Sequence, residues 1–248
     1  EPLVLKTTSR NSVPFAAHCT RQGSSGTNKG CFKRMRLRTP IITLLAACTL
    51  PLPALAHPHI FVESRLEVIP ATDGTVQELR NVWRFDEVFS SSILLDFDQN
   101  TDLKLDEAEL AELGETMRTS LADFSYFTTL TQNGAAVGVQ KPDAIHVTFQ
   151  DNQILVFFSV KPDKPMPLKG TLTFGVYDPS MYTALDFPND SDLVAEGSGF
   201  GQCKRQVVRP DPDEVISQNN SSLTDAFFND PTGTDMSKLF ATRLELTC

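Results

Sequence analysis

Between residues 59 and 187 apolar and polar side chains alternate in short runs separated by turn residues, the period-two pattern of half-buried strands. Residues 59–69 and 75–85 flank Pro70-Ala71-Thr72-Asp73-Gly74 and predict a hairpin. Residues 127–132 and 136–140 flank Asn133-Gly134, the strongest short hairpin signal. Residues 145–149 and 154–160 flank Gln150-Asp151-Asn152 in the same way. Leu172, Phe174 and Val176 alternate with Thr171 and Thr173, and 181–187 predicts one more strand. The period changes near residues 87–123. Val88, Phe89 and Ile93 form a short apolar face there, and Leu110, Leu113, Met117, Leu121 and Phe124 form a helical stripe. Residues 188–201 read as loop, 212–218 and 223–229 as helical, and 239–247 as a last strand or short helix. The expectation is an α+β domain, mostly antiparallel sheet, with one helical EF-hand-like insertion. No internal repeat and no dividing linker interrupts it.

The first 56 residues have a different character. Met35-Arg36-Leu37-Arg38 is a short basic region, residues 41–50 are apolar, and Ala54-Leu55-Ala56 follows two prolines. That is the three-part plan of a secretory signal peptide over 35–56, cut after Ala56. Residues 1–34 lack periodicity and read as upstream sequence wrongly translated, the alternative being a genuine extension. Leu45-Ala46-Ala47-Cys48 also has the spacing of a lipoprotein box, which would anchor the protein at Cys48. The soluble periplasmic product is the preferred expectation, because the stretch from Arg38 to Cys48 is short for a lipoprotein leader.

Processing changes the charge. The whole chain carries −9, whereas residues 57–248 hold 14 Lys+Arg against 30 Asp+Glu, or −16. Such a surface disfavours nucleic acid and favours cation capture. Two cysteines survive in this part, Cys203 and Cys248. In an oxidising compartment the expectation is that they pair.

Cleavage would create the terminus His57-Pro58-His59, an α-amine and two imidazoles within three residues. Pro58 has no amide N–H, so the amino-terminal copper wrap is blocked and a tetrahedral Zn²⁺ site is favoured. The remaining histidine, His146, alternates with Ile145 and Val147 on a strand and is a third candidate ligand, with Glu63, Asp86 or a water completing the set. The bland reading is a surface histidine.

A second constellation is Asp96-Phe97-Asp98-Gln99-Asn100-Thr101-Asp102-Leu103-Lys104-Leu105-Asp106-Glu107. Counted from Asp96, it puts side-chain oxygens at loop positions 1, 3, 5 and 12 (Asp96, Asp98, Asn100 and Glu107), with Asp102 a further candidate ligand and apolar Leu103 at position 8, the register of a calcium loop. Thr101 falls where that loop needs glycine and Lys104 falls at position 9, so a degenerate loop that no longer fills is the competing expectation. No GxSxG, P-loop, HExxH or CxxC is present, and the adjacent acids Asp86-Glu87 read as helix-dipole partners. The sequence predicts a protein without enzymatic activity.

These segments carry a resemblance. His57-Pro58-His59-Ile60-Phe61, Trp83-Arg84-Phe85-Asp86-Glu87, the loop from Asp96 to Glu107, and Phe174-Gly175-Val176-Tyr177-Asp178-Pro179 occur in the order seen in the bacterial Domain of Unknown Function 1007 family, which the chain resembles. Members are often labelled the periplasmic component of an uncharacterised ABC-type transport system. The resemblance implies periplasmic metal handling, zinc foremost, beside an ABC or nickel/cobalt-type inner-membrane permease. The two expectations are therefore a zinc-binding accessory protein that delivers metal to such a permease, and a calcium-stabilised structural or interaction module without a transport role.

Overall fold

The computed structural model describes residues 59–229 and 235–248, all within one compact unit that begins at Ala56. His57, Cys48 and the segments 1–34 and 35–56 lie outside the described residues.

The fold is α+β and mostly antiparallel, built as two sheets over a shared core. Strand β1 (Ile60–Pro70) pairs antiparallel with β2 (Val76–Phe85), and their register runs from Val62 opposite Phe85 to Pro70 opposite Val76. Then come helix α1 (Glu87–Phe97), helix α2 (Glu107–Ser120), β3 (Thr128–Gln132), β4 (Ala135–Val137), β5 (His146–Gln150) and β6 (Gln153–Val160). They are followed by β7 (Thr171–Val176), β8 (Thr183–Asp186), β9 (Leu193–Ala195), β10 (Lys204–Val208), helix α3 (Pro212–Asn229) and β11 (Arg243–Thr247). One sheet has the order β5-β6-β2-β1-β8, with β9 also on β1; the other has β10-β11-β7-β3-β4.

Alternation decides which side chains face inward. Val62, Ser64, Leu66 and Val68 of β1 are buried, while Phe61, Glu63, Arg65 and Glu67 face out. Their inner faces meet Leu130, Leu172, Phe174, Leu244 and Leu246 of the second sheet in one cluster. The ring of Trp83 stacks on Phe127 at 6.1 Å and meets Phe158 edge-on at 4.8 Å. Asn133 and Gly134 adopt φ of 49° and 78°, and Asp151 and Asn152 adopt 52° and 62°, as two-residue hairpin turns require.

Two strands escaped the sequence reading. The segment read as loop contains β9, only three residues long, and β10 follows Cys203 with the sequence Lys-Arg-Gln-Val-Val, which lacks alternation. The two expected C-terminal helices lie within α3, which breaks between them at Asn219, where φ is −118° and ψ is 16°. Both β8 and β9 join β1 in parallel, a detail that hydropathy patterns do not encode. Cys203 and Cys248 are bonded, with an S–S distance of 2.05 Å.

Candidate functional site

Helices α1 and α2 dock on the edge of the first sheet, α1 against β6 and α2 against β5. Asp86 starts α1 by accepting the Phe89 N–H at 2.9 Å, and its other oxygen accepts the Phe61 N–H at 3.0 Å. Both oxygens of this proposed zinc ligand are thus engaged in positioning the helix. The buried Ser90 ties α1 to the sheet by accepting the Ile154 N–H through Oγ at 3.0 Å.

The segment between the helices is ordered by its own acids. Helix α1 runs through Phe97, which packs on the core, so Asp96 lies in its last turn, exposed. Asp98 is the C-cap, and its two oxygens accept the Asp102 and Leu103 N–H groups at 3.2 and 2.8 Å. Asn100 Oδ1 accepts the Asp102 N–H at 2.9 Å, and Asp102 Oδ1 accepts the Lys104 N–H at 2.9 Å. Asp106 caps α2 by accepting the Ala108 and Glu109 N–H groups at 2.8 and 3.0 Å. Glu109 turns back as the other half of the capping box. Its side chain accepts the Gln99 N–H at 2.7 Å and the Asp106 N–H at 2.9 Å, and the residue is only 4% exposed.

The network thus runs from Asp98 to Glu109, with Glu109 buried, whereas Asp96 in the last turn of α1 and Glu107, the first residue of α2, are exposed. Counted from Asp98, oxygen-bearing side chains fall at positions 1, 3, 5, 9 and 12: Asp98, Asn100, Asp102, Asp106 and Glu109. Lys104 moves to position 7, where a calcium loop uses only the backbone carbonyl. Leu105 becomes the apolar position 8 and is buried, whereas Leu103 is 67% exposed. The sequence carries this second frame as well, with an acid at position 9 and a glutamate at 12. Thr101 and Leu103 carry φ of 62° and 61°, left-handed conformations held by residues other than glycine.

The histidines are spread out. His59 is exposed just ahead of β1, its N–H donating to the Tyr182 carbonyl at 2.9 Å and its ring 4.8 Å from that of Tyr182. His146 is exposed on β5, in register with Arg65 through Phe157 and Val82. Three strand spacings and six residues along β1 then separate it from His59, on the order of 25 Å, which is too far to share an ion. Glu63, the other proposed carboxylate, is ion-paired with Arg84. Among the described residues, no three or more His, Cys, Asp or Glu side chains are gathered closely enough to hold a metal ion as they stand. No helix among them is long and apolar enough to cross a membrane.

Comparison with known proteins gives a family and little more. A family model described as "Protein of unknown function (DUF1007)" matches residues 42–248. No curated protein matches the chain. Among solved structures, Biomphalaria glabrata acetylcholine-binding protein type 1 is similar at 12% identity over 81% of this chain and 89% of its own, with a TM-score of 0.32.

Proposed function

The chain belongs to the DUF1007 family, and on that premise we propose that it is an exported interaction module stabilised by one Ca²⁺ in the loop between α1 and α2. The observation that supports this is the hydrogen-bond register from Asp98 to Glu109. Ca²⁺ is a hard ion that takes six to eight oxygens. Asp98, Asn100, Asp102, the Lys104 carbonyl, Asp106 (through water) and both oxygens of Glu109 form that donor set. The left-handed backbone at Leu103 supports the reading, since a calcium loop turns sharply at its sixth position. Glu109 exchanges its two N–H partners for the ion, so binding couples to the docking of α1 against α2. The acidic charge of residues 57–248 raises the local cation concentration.

The test is calorimetric melting with calcium or with a chelator. A ligand that binds only the folded state at one hundred times its dissociation constant adds about 2.7 kcal/mol of stability. Wild type and Glu107→Gln should gain melting temperature with calcium, and Glu109→Gln should not. Absence of any gain at millimolar calcium refutes the reading. Loss in Glu107→Gln with retention in Glu109→Gln restores the frame that starts at Asp96.

A second reading, a zinc-binding accessory protein serving an inner-membrane permease, is supported by one observation: His59 is exposed just ahead of β1, with its ring beside that of Tyr182. In this reading His57 and His59 are the ligands and His146 is not. Zinc titration of the His57→Ala/His59→Ala variant, in a protein whose terminus has been verified, separates the two readings. Unchanged zinc affinity rejects this one.

A further inference from the structure

We propose that a cavity beside β3 binds a small organic cation, an ammonium group carrying an apolar body. The cavity measures about 370 Å³, within the range of small-molecule sites. It exists because the second sheet splits. Strand β4 pairs with β3 only from Leu130 to Gln132, and beyond Val137 the chain leaves β3 to bridge from Val139 to Pro162. The departing segment is anchored there, the Asp163 N–H donating to the Gly138 carbonyl at 2.9 Å and the Gln140 N–H to the Lys161 carbonyl at 2.8 Å. The gap left against the start of β3 is therefore preformed.

The lining has one consistent chemistry. Phe124 and Phe127, with ring centroids 6.0 Å apart, and Tyr177 supply aromatic surface. Asp123 and Asp235 supply negative charge, and among the described residues none of those lining the cavity is Lys, Arg or His. Asp235 is fixed in place: it accepts the Tyr177 hydroxyl at 2.9 Å, the Ser237 N–H at 3.1 Å and the Ser237 hydroxyl. Asp123 enters no ion pair among the described residues. Burial pushes the Tyr177 phenol above its ordinary value, with Asp235 adding to the effect, so at neutral pH it stays a donor to that carboxylate. A cation is drawn both to carboxylates and to the faces of aromatic rings. An anion is repelled, and a neutral apolar ligand leaves the charge of Asp123 unmatched.

The wall is also specially shaped. Ser125, Tyr126 and Phe127 take φ of 51°, 55° and 53°, three consecutive left-handed residues without a glycine. The Tyr177 N–H donates to the Phe127 carbonyl at 2.9 Å, and the Thr128 hydroxyl donates to the Tyr126 carbonyl at 3.1 Å, which holds this turn. Phe127 thereby lines the cavity while stacking on Trp83.

That contact provides a probe, because Trp83 is the only tryptophan in the chain. The experiment titrates the exported protein with choline, tetraethylammonium and benzyltrimethylammonium, reading Trp83 fluorescence and heat. The control is 3,3-dimethylbutan-1-ol, the uncharged shape analogue of choline. At least one cation should saturate the signal, and choline should exceed its neutral analogue. Asp123→Asn and Phe124→Ala should each weaken the best cation by roughly tenfold. Asp123 is exposed, so its variant keeps the fold, which melting verifies, and the neutral analogue needs no variant at all. The proposal is overturned if no cation saturates, if the alcohol binds as well as choline, or if both variants bind like wild type.

Discussion

Leu103 is a residue whose backbone and side chain are at odds. It holds φ of 61° while two-thirds of its surface is in water, so no packing compensates the steric cost of that conformation. A non-glycine residue there costs on the order of 1–3 kcal/mol, against about 0.4–1 kcal/mol of unfolded-chain entropy that glycine adds. The difference favours glycine. Leu103→Gly should therefore raise stability by about 1 kcal/mol without calcium and tighten calcium binding, read by urea denaturation and by titration calorimetry. An unchanged affinity would mean that the loop already pays no strain on binding. At the residue level the sequence leaves two frames open here for a definite reason. Acids at alternate positions satisfy the spacing rule from either Asp96 or Asp98, and only burial distinguishes Leu105 from Leu103 and Glu109 from Glu107. Burial follows from where α1 stops, which depends on Phe97 reaching the core.

At the scale of elements, alternation and turn chemistry were sufficient for the hairpins, because their φ-positive residues are Asn, Asp and Gly, which tolerate it. The docking of α2 on β5 was not legible, since it depends on a missing side chain. A Cβ at Gly114 would run into the Ile145 carbonyl oxygen and lie 3.7 Å from a Val147 methyl group. The obstacle is backbone, and it cannot rotate away. Gly114→Ala thus sets a helix-propensity gain of about 1 kcal/mol against an overpacking cost of roughly 1–3 kcal/mol or more. Overpacking should win, with a net loss of at least about 1 kcal/mol in denaturant melts. Chemical-shift changes should concentrate in α2 and β5. Stabilisation instead would show that α2 can lift from β5 without cost. The same close approach bears on the calcium reading, because α2 carries both Asp106 as its cap and Glu109 in its first turn, and its seating on the sheet fixes where they stand.

Across the whole molecule, the α+β class and the pairing of Cys203 with Cys248 were readable, but the division of strands between two sheets was not. Strand order here is non-sequential: β7 lies between β3 and β11, and β1 takes β8 in parallel, which are long-range pairings with no local signature. The disulfide acts on this level. It closes a separation of 45 residues that contains β10, α3 and β11. The loop-entropy model assigns such a bridge about 4 kcal/mol, acting through the unfolded chain. Its structural consequence should be uneven. Strand β11 is held between β10 and β7 and buries Leu244 and Leu246 completely, while β10 is an edge strand with its first three residues exposed. Cys203→Ser/Cys248→Ser should therefore lower global stability by about 3–4 kcal/mol and strip hydrogen-exchange protection from β10 first. Strands β1, β2 and β6, which lie in the other sheet, should lose protection only with global unfolding. Equal loss across both sheets would mean that β10 opens only when the whole domain does, and that the bridge acts on the molecule as one cooperative unit.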